Sequence, residues 1–246
     1  IPQNRPRVLL VGIREDIVNS VDSIDLSLHD DDAVSCGFLP QPTPNRYPDL
    51  DELLGDLIDP EIEKILQRVS RGGKYNTAVL ETKSYPNKSF TKIQKSLRKG
   101  IKELTEQVYS RHSRKVINKF SYMLKHNGAI KKEYRTNKIA QRILYPKWDS
   151  KGPNITVTSL PDDYVHYFQP RSLTVREWAR LQMFPDRYIF KGKRTTGGIR
   201  RAGNPHLSIF DREVPKYTQI CNAVPVKLAE AVANHFKSLL IEGGYY

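Results

Sequence analysis

Cysteine is nearly absent: Cys36 and Cys221 are the only two in 246 residues. They lie far apart and form no Cys-x-x-Cys pair, which excludes a disulfide framework and offers no zinc-binding pattern. A reducing compartment is expected. No run approaches the roughly 18 apolar residues that a membrane-spanning helix needs, and the N-terminus lacks the basic-then-apolar order of a signal peptide. The expectation is therefore a soluble, intracellular protein with no membrane partner. No segment repeats, which argues against a solenoid. Apolar residues make up only 38% of the chain, a low share that predicts a modest core and a large polar, ligand-facing surface. Nor is there an initiator methionine ahead of the opening IPQNRPRVLLVGI; an apolar strand with no element before it leads us to expect an upstream part on another polypeptide or a longer chain.

Charge is abundant but unevenly placed. The net charge is +13. Residues 1–63 carry 4 Lys and Arg against 14 Asp and Glu, residues 64–151 carry 23 against 5, and residues 152–246 carry 13 against 8. A central third with a balance of +18 is what a polyanion-binding surface requires. A Lys-rich solvated helical face is the other reading that charge alone permits.

Residues 7–13, RVLLVGI, read as a buried strand: short, continuous and rich in branched aliphatics. The acidic HDDD at 29–32 reads as a solvated loop or a helix N-terminus, since carboxylates alone do not fix ligand geometry; no metal is expected. Three helical stretches follow: DLDELLGDLIDPEIEKILQRV, broken at Pro60; SLRKGIKELTEQVYSR; and HSRKVINKFSYMLKHNG, which ends in a capping Asn-Gly. PNITVTSLPDD alternates like a strand. In SLTVREWARLQMFPD, Thr174 and Glu177 have the spacing of a capping box, so a helix should start at Val175 and stop at Pro185. Arg176 and Arg180 lie one turn apart on one face of it. The last segment places Pro225 in the first turn of a helix, with Leu228, Val232, Phe236 and Leu239 down one side.

Three of these stretches together resemble one family, the 5-cytosine DNA methyltransferases. IPQNRPR is similar to its Gln-x-Arg-x-Arg motif, PRSLTVREWARLQMFPD to its Arg-x-Leu-Thr-x-Arg-Glu motif, and YTQICNAVPVKLAEAVA to its closing Asn-Ala-Val-Pro helix, in the family's order and spacing. The interval 31–150 corresponds in position to the family's target recognition domain, where the basic block also lies. The Pro-Cys dipeptide of the nucleophile and the Glu-Asn-Val segment, which the family carries upstream, are not in this chain: Cys36 follows Ser35 and Cys221 follows Ile220.

The resemblance implies an α/β fold: the C-terminal part of a Rossmann-like, S-adenosylmethionine-dependent methyltransferase with an inserted mixed α+β recognition domain. Residues 1–30 would be late strands of the catalytic domain, 31–214 the recognition domain, and 215–246 a helix returning to the catalytic domain. Gln3, Arg5 and Arg7, spaced by two, project to one side of an extended strand. The family makes Arg7 the donor to O2 of a flipped cytosine, with Arg5 and Gln3 bracing the pocket. Asn222, Ala223 and Val224 would line the methionine end of S-adenosylmethionine, a cofactor shared with the other half. The family usually has Gly where Cys221 stands; a left-handed backbone there would cost a residue with a Cβ roughly 1–2 kcal/mol. Thr174, Arg176, Glu177 and Arg180 would be structural, and His166 a packed turn histidine.

For DNA contact the best candidate is the loop GKRTTGGIRRAGNP at 192–205, with Lys193, Arg194, Thr195, Thr196, Arg200 and Arg201 as donors; a basic loop with no contact role is the alternative. The expected partners are double-stranded DNA and an N-terminal catalytic half or subunit, in a bacterial cytoplasm and a restriction-modification setting. The chain alone should be inactive. A non-enzymatic DNA-binding module and an RNA methyltransferase relative are the rival readings.

Overall fold

The computed structural model describes residues 5, 8–27, 32–42, 48–75, 80–89, 91–135, 141–147, 152–156, 163–195, 205–208, 210 and 213–246. The chain divides into two compact units, one of Pro6–Arg46 with Val224–Tyr246, the other of Pro2–Arg5 with Tyr47–Ala223. Among the described residues no helix is long and apolar enough to cross a membrane.

The smaller unit pairs a short helix α1, Glu15–Val18, and its following turns with the C-terminal helix α8, Val226–Glu242. Val21, Ile24 and Leu239 form its core, with Ile13, Ile17, Val18, Phe38 and Phe236 packed around them. Of the stripe expected on α8, Leu239 is buried while Leu228, Val232 and Phe236 are half-buried. Polar ties close the unit: Glu242 accepts from Ser23 N–H at 2.8 Å, and His235 Nε2 meets the Gly37 carbonyl at 2.8 Å. Gly37 is left-handed at φ +82, and a Cβ on it would lie 2.1 Å from the Ser23 carbonyl oxygen, so only glycine fits.

The opening strand is a correction. Residues 8–14 form no regular element, and Val8 and Leu10 are 94% and 98% exposed. A continuous apolar strand belongs in the middle of a sheet with neighbours on both sides. The described residues offer it none, so its side chains stay in solvent. For the same reason the Rossmann-like sheet of the expected α/β class is not built by the described residues. Their strands are a single two-residue parallel pair, β1, Arg142–Ile143, with β2, Tyr164–Val165. The strand expected from 153 to 163 shows no regular element at 153–156, and 157–162 lie outside the described residues.

The larger unit is helical. Helix α2, Leu50–Leu54, runs into a 3₁₀ turn at Gly55–Leu57, and the break expected at Pro60 is where α3, Pro60–Ser70, begins, with Asp59 as N-cap and Pro60 in the first turn. Helix α5, Arg114–Lys125, is capped by Ser113 and ends with Asn127 and Gly128 at φ 50 and 86, as the Asn-Gly pair predicts. It packs on α3 through Ile62, Leu66, Val69, Tyr109 and Ile117, and on β2 through Phe120 and Met123.

Between them the expected helix over 96–111 is corrected. Helix α4 covers only Lys92–Leu97; beyond it Gly100 and Glu106 adopt φ of 81 and 66. The segment instead runs against residues 80–83: Leu104 N–H donates to Lys83 O at 2.9 Å, Thr82 N–H to Gln107 O at 3.0 Å, and Tyr109 N–H to Leu80 O at 2.8 Å. Burial of Leu104, Gln107 and Tyr109 favours that pairing over local helix propensity.

Helix α6 spans Val175–Leu181 behind a capping box of Thr174 and Glu177, a device that contributes about 1 kcal/mol. It stops before Pro185, because Met183 turns left-handed at φ 62 while Met183 and Phe184 N–H bond back to Arg180 and Ala179 carbonyls. Every residue of α6 is buried. Helix α7, Lys216–Asn222, follows at the end of the unit.

Candidate nucleic-acid interface

The frame of the larger unit is a buried polar network radiating from α6. Arg180 donates to Asp56 Oδ1 at 2.5 Å, to Asp186 Oδ1 at 3.0 Å and Oδ2 at 2.6 Å, and to the Leu53 carbonyl at 2.9 Å. Arg176 reaches the Thr105 carbonyl at 3.1 Å, its hydroxyl at 2.8 Å and the Tyr188 carbonyl at 3.1 Å. Glu177 accepts from Arg171 at 2.6 and 2.8 Å, from Gln107 at 3.2 Å and from the Thr174 N–H at 2.8 Å. One two-turn helix thus fastens α2, the 105–107 segment, residue 171 and the 185–188 turn. Thr174, Arg176, Glu177 and Arg180 are all essentially inaccessible.

His166 lies in the same network, fully buried. Its Nδ1 accepts from the Phe168 and Gln169 N–H groups at 3.1 Å each, leaving Nε2 without a hydrogen-bond partner among the described residues, 3.6 Å from Glu177 Oε1. Burial and then the charge of Arg171 push its pKa down to about 3, against the pull of Glu177. Burial, then Arg171, Arg194 and Lys119, take His112 down to about 4. For Glu177, burial alone would raise the pKa, but Arg171 and His166 outweigh it and hold the carboxyl at about 2.

All three folded values lie below the ordinary ones, about 6.5 for histidine and about 4.3 for glutamate. As pH falls below about 6.5 the unfolded chain takes up protons that the folded histidines refuse, and below about 4 the same holds for Glu177. Stability should therefore be flat from pH 8 to 7, fall from about 6.5 toward 4, and fall further below that. Urea midpoints measured across that range check it; a midpoint unchanged down to pH 4.5 contradicts it.

The Gln-x-Arg-x-Arg segment is represented by Arg5, since Gln3 and Arg7 lie outside the described residues. Arg5 Nη1 donates to the carbonyls of Ile155 and Cys221, while its Nε is buried without a partner among the described residues. The arginine thereby ties the 152–156 segment to the C-terminal end of α7. Cys221 sits within that helix, its thiol buried and bonded to the Thr218 carbonyl at 3.2 Å. Its backbone is not left-handed, so the Cβ at this position carries no conformational penalty. Asn222 is exposed, Ala223 half-buried and Val224 61% exposed.

Of the basic loop, Lys193, Arg194 and Thr195 are described; Thr196, Arg200 and Arg201 lie outside the described residues. Lys193 forms an exposed ion pair with Glu213 at 3.1 Å, and its carbonyl accepts from Lys216 N–H at 2.9 Å. Arg194 is half-buried, donating to the Val108 carbonyl at 3.0 Å, and Thr195 is exposed. The loop and Arg5 are thus anchored at opposite ends of α7, about 8 Å apart along its axis.

Of the acidic cluster at 29–32 only one member lies among the described residues. Its Asp32 caps a turn, accepting from Val34 N–H at 3.1 Å and Ser35 Oγ at 2.8 Å; His29, Asp30 and Asp31 lie outside the described residues. A feature the sequence reading missed is an open cleft of about 680 Å³ between α3 and α5, lined by Gln67, Arg71, Asn118, Tyr122, Lys125 and Phe168 among others. The signal was there in SRKVINKFSYMLK: polar positions at 115, 118, 122 and 125 repeat at helical spacing.

Residues 1–238 match the model of the C-5 cytosine-specific DNA methylases. The chain belongs to that family. Type II methyltransferase M.DdeI of Desulfomicrobium norvegicum is 29% identical over 248 residues, covering 95% of this chain and 50% of that protein. M.BspRI of Lysinibacillus sphaericus is 27% identical over 234 residues, 95% of this chain and 39% of its own. M.AquIB of a Picosynechococcus is 37% identical over 99 residues, 40% of this chain and 66% of its own. The chain spans about half the length, or less, of the two relatives that match nearly all of it. The chain's two thiols, Cys36 and Cys221, are both buried and neither is preceded by proline.

Proposed function

We propose that this chain is the target-recognition part of an S-adenosylmethionine-dependent DNA (cytosine-5) methyltransferase, with the nucleophilic cysteine supplied from outside these 246 residues. The observation that carries the reading is the family match over residues 1–238 together with two buried thiols lacking a Pro-Cys context. A thiolate that attacks C6 of cytosine must be reachable by the base, and neither of these is.

On this reading the unit around α6 is the recognition domain, and the segments near both chain ends belong with the catalytic domain. The exposed Val8 and Leu10 support that assignment, since a strand of this composition is stabilised inside a parallel sheet. A base held out of the duplex costs a few kcal/mol in lost stacking and pairing. Arg7 would offset part of this by donating to O2 of the cytosine, with Gln3 and Arg5 behind it. Arg5, fixed on the carbonyls of Ile155 and Cys221, would hold that wall against the C-terminal end of α7.

The methyl donor when bound would be S-adenosylmethionine. Asn222, Ala223 and Val224 would line its methionine end: Asn222 is exposed, and the chain leaves helical geometry at Ala223, where ψ is 147. Lys193, Arg194, Thr195, Thr196, Arg200 and Arg201 would face DNA, the cations on phosphate and the polar groups within reach of base edges.

Retention of labelled duplex DNA by the full chain, competed with unlabelled duplex and with tRNA, tests the substrate class. Duplex DNA should compete at least tenfold better. Equal or better competition by tRNA overturns the DNA reading in favour of an RNA-directed relative. Salt dependence alone does not separate them, because both polyanions release counterions.

A further inference from the structure

We infer that the outer face of α5 is a base-reading surface for duplex DNA, with Asn118 the residue that discriminates a base pair; the inference rests on the recognition role proposed above. Helix α5 is fixed in orientation by Ile117, Phe120 and Met123, whose side chains are buried in the core. At 100° per residue, Lys115, Asn118, Tyr122 and Lys125 then fall within an arc of about 80° on the roughly opposite side. That face lines the 680 Å³ cleft, and Asn118 also lines an adjoining one of about 380 Å³ with Arg114 and Lys115.

The chemistry of the face suits a duplex. Asn118 is half-buried, and its side-chain amide makes no hydrogen bond to any described residue. An amide with a free donor and a free acceptor matches the N6 and N7 edge of adenine in the major groove, the asparagine pairing that direct readout favours. Tyr122 is held as a plate by stacking on His126, ring centroids 4.0 Å apart at 27°. Phe168, 55% exposed on the cleft's other side, offers an apolar contact such as a thymine methyl takes. Arg71 and Lys125 supply charge for phosphates against a single lining carboxylate, Glu63, while Lys131 pairs with Glu133 at 3.1 Å. The surrounding interval 64–151, with 23 cations against 5 anions, gives the long-range complement to a polyanion.

The two kinds of contact predict different failures. With the full chain and a randomised duplex library, wild type should select a sequence. Asn118→Ala should lower discrimination at one base pair about tenfold or more, leaving the salt dependence alone; Lys125→Ala should weaken all sequences alike and reduce the log–log salt slope by about 1. Both positions lie on the solvent side of a helix, and unchanged circular dichroism would confirm that folding is kept. If wild type selects a sequence and both variants select and bind as it does, the α5 surface is overturned while the recognition role stands. If wild type shows no duplex preference at all, the recognition role fails and this inference with it.

Discussion

Arg180→Ala should destabilise the larger unit by about 3–5 kcal/mol, enough to unfold a marginally stable domain near body temperature. Arg180 is buried between Asp56 and Asp186, both with 2% exposure or less, and bonds to both carboxylates as well as to the Leu53 carbonyl. Asp56 would keep Arg98 at only 3.4 Å, and Asp186 would keep the Tyr85 hydroxyl at 2.7 Å and Arg176 at 3.9 Å. Neither set replaces a two-sided guanidinium. The cost arises less from the lost attraction than from leaving two carboxylates desolvated and under-compensated. Urea denaturation of wild type and variant measures it, with Lys64→Ala as a comparison, since Lys64 makes only an exposed pair with Glu61 and its loss should leave the midpoint unchanged. A change below about 1 kcal/mol for Arg180→Ala would mean that the network is not what holds the unit together.

What could be read in advance was mostly what is decided locally. The Thr174–Glu177 capping box, Pro60 at the start of α3 and Asn127–Gly128 at the end of α5 each depend on neighbours within a few residues, and each was legible. The run from Ser96 to Arg111 was not, because its backbone partners lie in 80–83 and its buried residues follow that pairing. Residues 8–10 misled for the opposite reason: the composition is that of a core strand, and the described residues supply no sheet to bury it.

The candidate site shows the same division. Arg176, Glu177 and Arg180 read as structural in the sequence, but their partners did not. Only the fold brings Asp56 to Arg180 across 124 positions and Arg5 to the Cys221 carbonyl across 216. The left-handed backbone considered for position 221 does not occur, because α7 continues through it.

The second large effect concerns activity, and it bears on the central claim most directly. On the reading proposed above, neither Cys36 nor Cys221, both buried, is the thiol that attacks C6. Methyl transfer from labelled S-adenosylmethionine to duplex DNA should therefore be at background with this chain alone. It should become robust when the chain is mixed with a polypeptide carrying the family's Pro-Cys and Glu-Asn-Val segments. Silence in the mixture with duplex binding retained would make the chain a non-enzymatic DNA-binding module. Transfer by the chain alone, abolished by Cys36→Ala or Cys221→Ala, would contradict the account outright.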